Sequence, residues 1–115
     1  MQYFLTETQR KLTHSTCYHE FFKGTWDLDL NGFWNDDSLF IEDDEFCRIG
    51  MDRLIEHTDS NYDYFGETEI TQAHWSKIVA EANNAGGELW DAILEVVPWA
   101  ENCYEKHNVI TILGM

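Results

Sequence analysis

The chain has 115 residues, with 22 acidic and seven basic side chains and a formal net charge of −15 at pH 7. That length holds one domain of ordinary size, residues 1–115, and excludes a multidomain enzyme or a dinucleotide-binding domain with a second substrate domain. The charge disfavours direct contact with nucleic-acid phosphates or an anionic membrane surface, and 43% hydrophobic with 15% aromatic residues excludes a disordered acidic tail.

The first residues, Met1 to Glu7, lack the basic start and apolar run of a secretory signal. Gln9 to Leu12 can form a helical turn, and Thr16 to Phe22, rich in Thr, Tyr and Phe, predicts a strand. Trp26, Leu28 and Leu30 alternate with Asp27 and Asp29, the period of a strand. Asn31-Gly32 is a turn dipeptide, and strand material resumes at Phe33-Trp34 and Ser38 to Ile41, which together suggest a hairpin.

Asp43 or Asp44 then reads as the N-cap of a helix whose acidic first turn suits the helix dipole. Phe46, Ile49, Arg53 and Leu54-Ile55 carry that helix to His57, and Asp59-Ser60-Asn61 ends it. Tyr62 to Phe65 reads as a short strand or a loop. Thr71 predicts the cap of the next helix, with Trp75, Ile78, Val79 and Ala82 on one face and Asn83 to Gly87 as its end. A further helix starts at Glu88 and meets Pro98, which predicts a stop or kink before one more short helix, Trp99 to His107. Val109 to Leu113 predicts a buried strand. The fold class expected is α+β: an antiparallel or mixed sheet with three to four helices.

Basic residues are absent from Gly24 to Cys47, which holds eight carboxylates, and again from Leu54 to Ser76. Such stretches face solvent, a distant cation or a partner. Cys17, Cys47 and Cys103 are an odd number at wide spacing, so no disulfide framework is expected and a reducing compartment, the cytoplasm, fits best. No apolar run is long enough for a membrane span.

Reaction chemistry finds little purchase. Glu42 to Glu45 lacks the spacing of a calcium loop, and no phosphate-binding glycine motif or nucleophile elbow occurs. His14 and Cys17 with Cys103 and His107 have the donor types of a zinc site but not the paired Cys spacing that identifies one. No cofactor and no catalytic residue is expected. The aromatic residues Trp26, Trp34, Tyr62 and Tyr64 are interleaved with Asp27, Asp29, Asp36, Asp37, Asp43, Asp44, Asp59 and Asp63. Aromatic anchors among carboxylates suit a contact surface for a basic partner, although inward Trp with outward Asp on strands yields the same pattern.

The segments Ser38 to Ile49, Leu54-Ile55 and Glu69 to Val79 resemble small bacterial immunity proteins of polymorphic-toxin and contact-dependent growth inhibition systems. The likeness covers about half the chain and consists of a strand, an acid-capped helix and a later helix that opens with Thr and carries a Trp; it assigns no site residues. It implies a non-catalytic cytoplasmic protein that neutralises one toxin domain, commonly a nuclease with a basic cleft. An acidic nucleic-acid mimic that inhibits a DNA-binding protein, of anti-restriction or anti-CRISPR type, is the alternative expectation, and a small zinc protein the third.

Overall fold

Hydrophobic alternation builds a four-stranded sheet, and apolar stripes at helical spacing build the layer that covers it. The structure, a computed structural model, describes residues 1–114. The order is α1 (Glu7–Lys11), β1 (Tyr18–Lys23), β2 (Leu39–Glu42), α2 (Asp43–Arg48), α3 (Met51–Thr58), β3 (Glu67–Thr71), α4 (Gln72–Ala85), α5 (Gly87–Lys106) and β4 (Val109–Leu113). The class is α+β as expected, with five helices rather than three to four. The strands lie in the order β2-β1-β4-β3, and every neighbouring pair is antiparallel.

Register sorts the sheet residues onto two faces. Phe21 stands opposite Leu39 and Ile112, and Ile70 opposite Ile110. These side chains join Phe46, Ile55, Trp75, Ile78, Ile93 and Val96 in one core between sheet and helices. Each fully buried Ile or Phe there contributes about 1.5–3 kcal/mol. The second face carries Tyr18, Glu20, Phe40, Thr111 and Leu113, all buried although no helix of that core covers them.

Five expectations for local structure change. The stretch from Trp26 to Leu30 is not a strand, and no hairpin forms at Asn31-Gly32; residues 24–38 form a flap instead. Leu28 and Leu30 are 59% and 84% exposed, so their alternation buries nothing. Side-chain bonds decide the local shape: the Asp27 carboxylate accepts from the N–H groups of Asp29 and Leu30, and Asn31 Oδ1 accepts from Asp27 N–H at 2.8 Å. The helix expected from Asp43 to His57 is two, α2 and α3, because Gly50 adopts φ +87° between them. The cap of α2 is Glu42, so Asp43 and Asp44 lie in the first turn. Tyr62 to Phe65 is the loop of the two readings, and β3, which was not expected, follows it.

The last change is at Pro98, where α5 runs on without a stop to Lys106. Ile93, Val96, Ala100 and Cys103 keep one buried stripe across the proline, and Leu94, whose carbonyl loses its usual donor, is exposed to water. Continued burial offsets the roughly 3 kcal/mol that an interior proline costs. The Thr71 cap is as expected: its hydroxyl accepts from His74 N–H at 3.2 Å.

A Cβ at Gly50 would sit 3.2 Å from the Arg53 guanidinium in a left-handed backbone. Gly50→Ala is therefore expected to destabilise the domain by about 1–2 kcal/mol, measurable by urea denaturation. No helix among the described residues is long and apolar enough to cross a membrane.

Candidate functional site

One carboxylate on the second face of the sheet is the most heavily bonded anchor of the flap. Glu20, 1% exposed, accepts from Trp34 N–H at 2.8 Å, Asn35 N–H at 3.1 Å, Asn35 Nδ2 at 3.0 Å and Ser38 Oγ at 2.6 Å. Those bonds hold Trp34 at φ +66°, a conformation that side chains seldom adopt. The Trp34 ring is clamped by the Arg10 guanidinium at 4.1 Å and the edge of Tyr18 at 6.4 Å. Arg10 is itself oriented by Glu7 at 2.7 Å. At the start of the flap, Thr111 Oγ1 donates to Gly24 O at 2.7 Å, and a Cβ on Gly24 would meet the His107 ring at 2.7 Å.

This anchoring presents aromatic side chains to solvent. Trp26 donates through Nε1 to Gly32 O at 2.7 Å and packs 5.2 Å from Phe33. Trp26, Phe33 and Phe65 border a cleft of about 330 Å³ floored by Leu113 and Gly114. Phe33 and Phe65 are 53% and 77% exposed, too much for core residues. A second cleft, about 250 Å³, continues past Phe33 to Trp34 and Tyr18. A third, about 450 Å³, shares Trp26 and Glu67 with the first and is lined by Asp59 and Glu69. An aromatic groove thus passes directly into an acidic one.

The surrounding charge is unbalanced. Among the described residues, Asp27, Asp29, Asp36, Glu67 and Glu69 have no ion-pair partner within 4.0 Å. Asp37 pairs with Lys23 at 3.1 Å, and Asp59 with His74 at 3.4 Å. Arg48, which could have offset the acidic face, is held elsewhere by Glu45 and Glu88.

Of the residues expected at a contact surface, Trp26, Trp34, Asp27, Asp29, Asp36 and Asp37 belong to the flap, and Asp59 lines the acidic cleft. Asp44 stands apart in the first turn of α2, and Asp63 closes the turn into β3 by accepting from Phe65 N–H at 3.0 Å. Asp43, Tyr62 and Tyr64 lie apart from the flap, in a separate, half-buried cluster. Tyr62 and Tyr64 pack against the main core, and Tyr64 donates through its hydroxyl to Asp43 Oδ1. Phe33, Phe65, Glu67 and Glu69 were missed. The alternation Glu67-Thr68-Glu69-Ile70 was the available signal for the last two.

In the half-buried cluster, His19 Nε2 lies 2.7 Å from Asp43 Oδ1, and its ring stacks on Phe46 at 3.9 Å. Burial pushes the His19 pKa below its ordinary value near 6.5, against the pull of Asp43. Burial also acts to raise the Asp43 pKa, but the hydrogen bonds from Tyr64 and His19 outweigh it and leave it lowered. Burial raises the Cys47 thiol, so that group is not an activated nucleophile.

The sign of the linkage is the same for both groups. A depressed folded pKa means that the unfolded chain takes up the proton first, so stability present at neutral pH is lost on acidification. For His19 the loss begins near pH 6.5 and continues as pH falls through the lowered folded value. His19→Phe, which keeps the stack on Phe46, is expected to flatten that slope between about pH 7 and about pH 5 relative to the parent chain. Melting temperatures over that range check it.

The zinc expectation has no geometry behind it. Cys103 is buried and donates to Val109 O, His107 packs at Gly24, and Cys17 is exposed. Among the described residues no three His, Cys, Asp or Glu side chains converge to hold a metal. Comparison with models of known families, with curated proteins and with solved structures finds no match.

Proposed function

We propose that the chain is a non-catalytic inhibitor of the immunity-protein kind, a cytoplasmic protein that captures one basic toxin domain, of nuclease type, and occludes it. The observation that carries this reading is the exposed groove of Trp26, Phe33 and Phe65 running into the carboxylates of Glu67 and Glu69, which have no ion-pair partner among the described residues. Aromatic side chains in a rigid groove are the strongest anchors in protein interfaces. The carboxylates exclude phosphates and attract a positive cleft, which raises the rate of encounter. A nuclease cleft is positive because it must hold phosphates, so the two surfaces are complementary in sign. The three free cysteines suit a reducing compartment.

The test is co-expression with a tagged C-terminal domain of the protein encoded immediately upstream. A one-to-one complex that abolishes the domain's toxicity and weakens with salt supports the reading. No complex at low salt removes it for that neighbour. Binding to several unrelated DNA-binding proteins, each competed by DNA, would instead identify a nucleic-acid mimic.

A further inference from the structure

Hydrogen-bond phase shows which edges of the sheet are open. Gly114 N–H donates to Gly66 O at 2.7 Å, and these two residues continue the register that sets Glu67 opposite Leu113. Bonded and non-bonded pairs alternate along an antiparallel ladder. Thr68 and Ile70 therefore direct their N–H and C=O groups to β4, and Glu67 and Glu69 direct theirs outward. At the other edge the same reasoning applies. Asp43 N–H donates to Cys17 O at 2.9 Å, which places the backbone of Phe40 outward. There the edge is occupied, since Leu5 and Phe40 exchange bonds of 2.8 and 2.9 Å. No described residue does this for Glu67 or Glu69, so one edge is closed and the other is not.

The open edge borders the acidic cleft of about 450 Å³, between Trp26 and Asp59. Glu67 and Glu69 share the sheet face of Leu113 and Thr111, so their carboxylates project beside the aromatic groove. A second copy of this chain is a poor occupant. Pairing β3 with itself would bring its glutamates against one another, and like charges across strands are destabilising. A helix has no free main-chain groups to offer along its length. An extended segment with Lys or Arg at alternate positions satisfies the outward backbone and neutralises the carboxylates together.

We infer that a basic extended segment of a protein partner adds to β3 as a fifth strand. Its main chain bonds to Glu67 and Glu69, and its cationic side chains meet the carboxylates of the same two residues. This rests on the reading above that the partner is basic, and it specifies how that partner is gripped.

The test uses the full chain and a synthetic peptide of about ten residues alternating Lys with Val, long enough for one strand. At low salt and about ten times its dissociation constant, the peptide is expected to slow amide exchange at Glu67 and Glu69 about tenfold. The same peptide methylated on alternate backbone nitrogens keeps its charge and is expected not to bind. Equal binding by the methylated peptide, binding without protection at Glu67 and Glu69, or no binding at low salt each overturns the inference. None of these outcomes depends on the upstream domain. Conversely, a complex with that domain that leaves both amides unprotected retains the inhibitor reading and removes strand addition.

Discussion

Replacing Glu20 with alanine is expected to cost roughly 3 kcal/mol and to lower the melting temperature by about 12 °C, at about 4 °C per kcal/mol for a domain of this size. Glu20 accepts from four donors, in Trp34, Asn35 and Ser38, and it is 1% exposed. Removal leaves those donors without a partner in a place water enters poorly, and each such loss costs about 1–3 kcal/mol before relaxation. Part of the cost is recovered as the flap swings out, and that release is itself observable. Exchange of the 24–38 amides should rise while the α4 and α5 amides keep most of their protection. Glu20→Gln is expected to fall between alanine and the parent, because an amide offers one acceptor and turns a donor towards the flap. Calorimetry and residue-resolved exchange check both variants. A melting temperature unchanged by Glu20→Ala would show that the flap is held by its aromatic contacts instead.

Phe65→Ala is expected to weaken the complex with the basic partner by about 2 kcal/mol, roughly 30-fold, almost wholly through faster dissociation. Phe65 is 77% exposed and meets Tyr64 edge-on at 4.9 Å, so its loss should leave stability within about 0.5 kcal/mol of the parent. The double variant Glu67→Gln, Glu69→Gln should behave differently. It is expected to slow association and to flatten the salt dependence, with a smaller effect on dissociation. Rapid-mixing kinetics at several salt concentrations separate the two. If Phe65→Ala leaves the dissociation rate unchanged, the aromatic groove is not where the partner sits.

Short-range pattern carried most of the fold. The β1 and β4 strands, the Thr71 cap and the apolar face of α4 all follow from residues within a few positions of one another. Reading failed where a local bond or a distant partner overrode the pattern. Trp26 to Leu30 alternates like a strand, but Asp27 and Asn31 bind neighbouring backbone and curl the chain away. β3 went unseen because Glu67 and Glu69 look like loop residues until Thr68 and Ile70 are seen to point inward. Pro98 looked like a stop because the continuing stripe through Ala100 and Cys103 is built of small residues.

The site was legible only in kind. The sequence singles out aromatic and acidic residues that the structure places in the flap, yet their grouping depends on the sheet. Asp43 turns inward because His19, 24 positions earlier, stands across from it. Phe33 and Phe65 line one cleft only because β4 brings Leu113 between their segments. No window of neighbouring residues contains either fact.

The place of β4 has a consequence for how the molecule comes into being. It is the innermost partner of both β1 and β3, which do not touch each other, so the sheet has no middle until residues 109–113 have emerged. The helices α4 and α5 form from local contacts, while β1 waits for a strand some ninety positions downstream (Phe21 pairs with Ile112). Folding is therefore limited by distant pairings, which form more slowly than the local contacts of the helices. Until then the Trp26 to Phe65 groove does not exist, because Leu113 and Gly114 are its floor. A chain whose β4 has not yet paired therefore lacks that groove altogether.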